Sequence, residues 1–93
     1  MPKVVVEFYG TARHVTGQKE VPLELKEGST FRDVVKTLAA RYPALIGDVI
    51  KPSGDELQMP NMFNVNARRV VQDLDTQPED GDRILLMFVT AGG

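Results

Sequence analysis

The sequence predicts an α+β fold, with a mixed sheet of four to five strands packed on one main helix. Three observations lead there. Apolar and polar residues alternate over 3–9 and again over 18–26, the period of a half-buried strand. Over 31–42 the period switches to that of an amphipathic helix. Past residue 60 strand-like runs return, and the most apolar of them, 84–89, comes last. At 93 residues the chain is expected to form one domain, with a flexible tail at 90–93.

In the first strand Lys3 and Glu7 share one face, and Val4, Val6 and Phe8 the other. Residues 10–17 carry glycine at both ends and read as a loop. In the second strand Val21, Leu23 and Leu25 face one side, while Pro22 points to an edge position or a bulge. Ser29 or Thr30 is a good helix N-cap, and Asp33 suits the positive end of the helix dipole. Phe31, Val34, Val35, Leu38, Ala39 and Tyr42 form the apolar stripe, and Pro43 stops the helix at about Tyr42.

Leu45, Ile46, Val49 and Ile50 suggest a short second helix over 44–50, followed by a turn at Pro52-Ser53-Gly54-Asp55. A third strand is expected over 62–66, burying Phe63 and Val65, then a tight turn at Asn66-Ala67-Arg68 and a short strand near 69–71. Alanine in place of the usual glycine of an Asn-Gly turn points to another turn type. Residues 73–82 are turn-rich and acidic. The last strand, 83–89, belongs in the middle of the sheet, since its apolar run needs cover on both faces. Ile84, Leu86 and Phe88 are expected to face the helix, and Leu85 and Met87 to face away.

Composition excludes several functions. There is no cysteine, so there is no thiol nucleophile, disulfide or cysteine zinc site. The one histidine, His14, sits beside Arg13 without a G-x-S-x-G turn and reads as a surface residue; no metal site is expected. A net charge of −2 argues against nucleic acid. The longest apolar run is far short of the ~20 residues of a membrane-spanning helix, and no signal peptide is visible. A cytoplasmic address is expected, with no membrane partner. Asp73, Asp75, Glu79, Asp80 and Asp82 read as a solvated turn or as a surface that steers a basic partner.

The chain ends on Gly92-Gly93, directly after its most apolar strand. Past Thr90 no side chain exceeds a methyl group, so the end can thread a narrow channel. Four extended residues reach roughly 13 Å, far enough to present a carboxylate to a partner's active site.

The stretch Phe8-Tyr9-Gly10-Thr11-Ala12-Arg13-His14-Val15-Thr16-Gly17 resembles the MoaD/ThiS family of ubiquitin-like sulfur carriers. So do residues 21–25, Glu27-Gly28-Ser29-Thr30, Arg41-Tyr42-Pro43, Val65-Asn66, Asp80-Gly81-Asp82 and Ala91-Gly92-Gly93, in that order along nearly the whole chain. The resemblance implies a ubiquitin-like β-grasp fold. It also implies that an adenylyltransferase of the ubiquitin-activating type uses ATP on the carboxylate of Gly93, with Gly92 beside it. A sulfur donor enzyme then makes a thiocarboxylate, and an acceptor enzyme, such as the large subunit of molybdopterin synthase, receives the sulfur. The chain is then a carrier, not an enzyme, and binds no cofactor itself.

Leu85, Met87 and Phe88 of the last strand, with Thr90 and Ala91 of the tail, are the expected partner contacts. From the residues alone the outward face of that strand has two readings, one covered by 44–59 and one an apolar docking patch; the resemblance favours docking. Met87-Phe88-Val89 stands where the molybdopterin branch often carries proline, and Ile84-Leu85-Leu86 is closer to the thiamin carriers, so several pathways stay open. A covalent protein modifier and a plain interaction module are the competing functions.

Overall fold

Alternating β-branched and aromatic residues build β1 (Lys3–Phe8), which buries Val4, Val6 and Phe8. The computed structural model describes residues 1–88. β1 is followed by α1 (Gly10–Thr16), β2 (Glu20–Glu24), α2 (Phe31–Arg41), a 3₁₀ turn at Pro43–Leu45, β3 (Asn61–Val65), β4 (Arg69–Val70) and β5 (Arg83–Phe88). The strands form one sheet in the order β2-β1-β5-β3-β4. β5 is central, as expected, parallel to β1 and antiparallel to β3, and β2 lies at an edge, one of the two readings that Pro22 left open.

α2 lies across the sheet. Its Phe31, Val34, Val35 and Leu38 are fully buried, as are Val6, Phe63, Ile84 and Leu86 from the strands. Each large side chain so buried contributes about 1.5–3 kcal/mol. Phe8 meets the ring of Tyr42 edge-on at 5.5 Å, and Phe31 lies 6.2 Å from Phe63. Thr30 caps α2: its hydroxyl accepts from the Asp33 N–H at 3.2 Å, and the Asp33 carboxylate accepts from the Thr30 N–H at 2.9 Å. The helix ends at Arg41, with Tyr42 as its C-cap.

Residues 10–17 are not a loop. Gly10, at φ +56°, turns the chain off β1 straight into α1, and Gly17, at φ +69°, closes it with an N–H bond to the Arg13 carbonyl. Seven residues with only Ala12 fully buried give too little apolar period to reveal the helix. The expected helix over 44–50 reduces to the 3₁₀ turn. Gly47, at φ +104°, breaks it, and its N–H returns to the Ile50 carbonyl at 2.7 Å. Leu45, Val49 and Ile50 still enter the core, while Ile46 is exposed.

β2 is shorter than expected, and β3 starts at Asn61 and ends at Val65. Asn66 and Ala67 both have positive φ, +56° and +60°. That is the backbone of a type I′ turn, so alanine does not change the turn type. The acidic stretch mostly closes its own turn. Asp80 accepts from the Lys3 N–H at 2.7 Å, and Asp82, 7% exposed, accepts from Asn66 Nδ2 and the Glu79 N–H. Asp75 pairs with Arg32 at 2.8 Å, and Asp73 accepts from the Asp75 N–H. No helix among the described residues is long and apolar enough to cross a membrane.

Candidate functional site

β5 sets the geometry. Alternation puts Ile84 and Leu86 against α2 and leaves Leu85 and Met87 half-buried on the opposite face. Leu85 lies between Glu7 on β1 and Asn64 on β3, and Met87 lies opposite Met62. Phe88 has the parity of Ile84 and Leu86, as expected, but is 48% exposed, because it sits past the last β1 pair, Phe8 with Leu86, at the open end of the sheet beside Asn61. Thr90, Ala91, Gly92 and Gly93 lie outside the described residues.

Segment 44–59 packs Leu45, Val49 and Ile50 into the core cluster shared with α2. It is therefore not a lid on Leu85, which lines a shallow hollow with Tyr9, Ala67 and Arg83. On the outward face Leu85 and Met87 form an apolar strip, and Phe88 is exposed at the end of β5.

A polar row borders the strip. The Tyr9 hydroxyl donates to Glu7 Oε1 at 2.6 Å, Arg83 Nε donates to Glu7 Oε2, and Arg83 Nη2 donates to Glu20 Oε1 at 2.8 Å. The row crosses β2, β1 and β5. The Tyr9 hydroxyl, and after it Arg83, hold the Glu7 carboxyl below the usual carboxylate range. The same bond raises Tyr9, and Glu7 in turn raises Arg83. Exposed ion pairs add little stability, but a row fixed at both ends gives the strip a defined charged border.

Tyr9 is a site residue that sequence reasoning missed. The signal was present: Lys3, Glu7 and Tyr9 share one strand parity, and the extended backbone of Tyr9 continues it. Its N–H also donates to the Leu86 carbonyl at 3.1 Å, fixing this aromatic beside β5. Asn64 contributes a buried Oδ1 without a hydrogen-bond partner next to Leu85. His14 is exposed on α1, and among the described residues no group of His, Asp and Glu could hold a metal ion. What the strip offers is apolar contact with an ionic rim, which is binding chemistry.

Comparisons with known proteins agree with this geometry. The sequence model of the ThiS family matches residues 6–93. Small archaeal modifier protein 3 of Haloferax volcanii is 32% identical over 90 residues, covering 95% of this chain and 96% of that protein. The crystal structure of H. volcanii small archaeal modifier protein 1 superposes with a TM-score of 0.82 over 97% of this chain and 100% of that one; at 20% identity the likeness shows the β-grasp fold. A putative molybdopterin converting factor, subunit 1, from Pyrococcus furiosus is 26% identical, with a TM-score of 0.70 over 92% of this chain and 95% of that one. The strand order, the single long helix and the match along the chain lead to one conclusion: this protein belongs to the MoaD/ThiS family of ubiquitin-like sulfur carriers.

Proposed function

We propose that this protein carries sulfur on its C-terminal carboxylate, in the synthesis of molybdopterin. An adenylyltransferase of the ubiquitin-activating type starts the sequence: a carboxylate oxygen of Gly93 attacks the α-phosphorus of ATP, and pyrophosphate leaves. The carboxylate is a poor electrophile, whereas the acyl adenylate has a good leaving group. Hydrosulfide released by a donor enzyme attacks the acyl carbon, the bond to the adenylate oxygen breaks, AMP leaves and the sulfur loses its proton. The resulting thiocarboxylate is nucleophilic and passes its sulfur to a pterin precursor held by the large subunit of molybdopterin synthase. ATP belongs to the activating partner, and this chain acts as co-substrate.

One observation carries the reading. The central strand, paired on both sides, precedes the Gly-Gly terminus in the sequence and carries Leu85 and Met87 half-buried on its outward face. A partner that grips the strip is thereby placed at the start of the tail. The lack of cysteine supports it further, since no side-chain thiol is available to hold the sulfur. The molybdopterin branch leans on the likeness to the P. furiosus converting factor. Thiamin, cysteine and tRNA thiolation would use the same carboxylate. A covalent modifier role, with Gly93 joined to protein amines, is the second reading, favoured by the relative named a small archaeal modifier protein.

The test is ATP–pyrophosphate exchange with the activating enzyme. Deleting Gly92 and Gly93 abolishes exchange and leaves thermal unfolding unchanged. Met87→Asp raises the concentration needed for half-maximal exchange about tenfold, with unfolding still cooperative. Normal exchange by the truncated chain would sink both tail-based readings. Loss of cooperative unfolding in the Met87 variant would assign that residue to the core.

A further inference from the structure

The two edges of the sheet are built differently. In an antiparallel pair, opposed residues alternate between exchanging main-chain hydrogen bonds and exchanging none. On the β2 side the Leu25 N–H donates to the Pro2 carbonyl and the Phe8 N–H donates to the Lys19 carbonyl, both at 2.8 Å. The pairs between them run from Lys3 with Glu24 to Glu7 with Glu20. Counting inward from either end gives the same parity. Val21 and Leu23 bond to β1, and Glu20, Pro22 and Glu24 turn their main chains to the free edge. Pro22, at the centre, has no N–H to offer, and exposed carboxylates flank it. This edge is closed to an added strand.

The β4 edge has no proline, and the exposed charges beside Val70 are the cations Arg68 and Arg69 rather than carboxylates. The Val71 N–H donates to the Phe63 carbonyl at 2.9 Å, and the next pairs are Val70 with Asn64 and Arg69 with Val65. By the same alternation the N–H and C=O of Val70 point outward. Among the described residues neither meets another main-chain group outside the sheet. The Val70 side chain is 41% exposed. Beside it lies a groove of about 510 Å³ whose apolar wall includes Leu57, Met59, Met62 and Val70 and whose polar side carries Lys51 and Glu56, with Met59 76% exposed. At the turn end of this edge Arg68 is exposed and forms no ion pair among the described residues.

We propose that the β4 edge accepts an extended segment of a partner protein as a sixth strand, apolar at alternate positions and carrying a carboxylate at the end that lies against Arg68. The main chain of Val70 supplies the hydrogen bonds. The groove takes the apolar side chains on one face of the added strand, and methionine suits such a surface because its unbranched, polarisable side chain repacks around varied partners. This contact adjoins the outward strip, since Met62 lies opposite Met87 and Val70 opposite Asn64, and it needs no reaction at Gly93.

Amide NMR of the full chain tests it. The probe is a short peptide of alternating valine and threonine with a glutamate at each end. At millimolar peptide the Val70 amide shifts most and its hydrogen exchange slows by about tenfold. Met59 and Met62 shift with it, and the amides of Glu20 and Glu24 do not. A peptide N-methylated at alternate residues produces no shift. Val70→Pro copies the Pro22 device onto this edge: it keeps the fold, because the nitrogen faces outward, and loses the shifts at Met59 and Met62. If that variant unfolds, the N-methylated peptide decides alone. Pro22→Thr gains shifts at Glu20 and Glu24, and deleting Gly92 and Gly93 changes nothing. Equal shifts from the N-methylated peptide, an unmoved Val70 amide, or shifts at the β2 edge of the unaltered chain would overturn the proposal. So would concentration-dependent protection of Val70 without peptide, which would give the edge to a second copy of this chain.

Discussion

Ala67 holds a backbone position that glycine adopts without penalty. At φ +60° its Cβ crowds the neighbouring carbonyl, and this strain stands in the turn that joins β3 to β4. Ala67→Gly is expected to raise stability by about 0.5–1 kcal/mol, the relief of strain exceeding the added freedom of the unfolded chain. The urea midpoint reads it, and a lower midpoint would show that the turn is unstrained. Glu7 gives a pH-dependent counterpart. Its folded pKa lies below its unfolded value, because the Tyr9 hydroxyl and then Arg83 bind the carboxylate. Its contribution is therefore complete above about pH 4.3 and is lost as pH falls through the lower folded value. Glu7→Gln should destabilise the protein at neutral pH, by a gap that narrows at an acid pH below the folded value of Glu7. An equal gap at both pH values would remove the carboxylate from the account. The face of Glu7 was legible from alternation. Its partner was not, because Arg83 is 76 positions away in sequence and strand order alone brings them together.

Among the elements, α2 announced itself most clearly. Its apolar stripe, its stop at Pro43 and its cap at Thr30 were each visible in the sequence. The Thr30–Asp33 box explains where the helix starts, and Thr30→Ala should cost about 1 kcal/mol in chemical unfolding. A cost near zero would mean that the Phe31 and Arg32 N–H bonds to the carbonyls of Thr76 and Leu74 fix the helix start unaided. α1 was hidden, because glycine at 10 and 17 signals a turn as readily as it signals the two ends of a short helix. The segment 44–50 misled in the opposite sense. Its apolar residues are spaced like a helix and do reach the core, but Gly47 takes a positive φ and reverses the chain first. At Phe88 parity named the right face and burial failed, since a strand's last residue outruns the helix and the strands that would cover it. The edges were half legible: Pro22 marked β2 as an edge, and nothing in the two-residue β4 marked it as the open one.

At the scale of the molecule the parts divide the work. α2 and the inward residues of the strands hold the sheet. The outward face of β5 keeps Leu85 and Met87 half-buried, bordered by the row from Tyr9 to Glu20, and the strand that carries them precedes the terminus in the sequence. Composition made this division readable, because a chain without cysteine and with one exposed histidine has few places for chemistry of its own. The central claim is that Gly93 bears the sulfur. Intact mass of the protein isolated from its native host tests it most directly. The predicted result is a population heavier by the exchange of one oxygen for one sulfur, absent when Gly92 and Gly93 are deleted. A population wholly at the unmodified mass, accompanied by a ladder of tail-dependent protein conjugates, would contradict the carrier and establish the modifier.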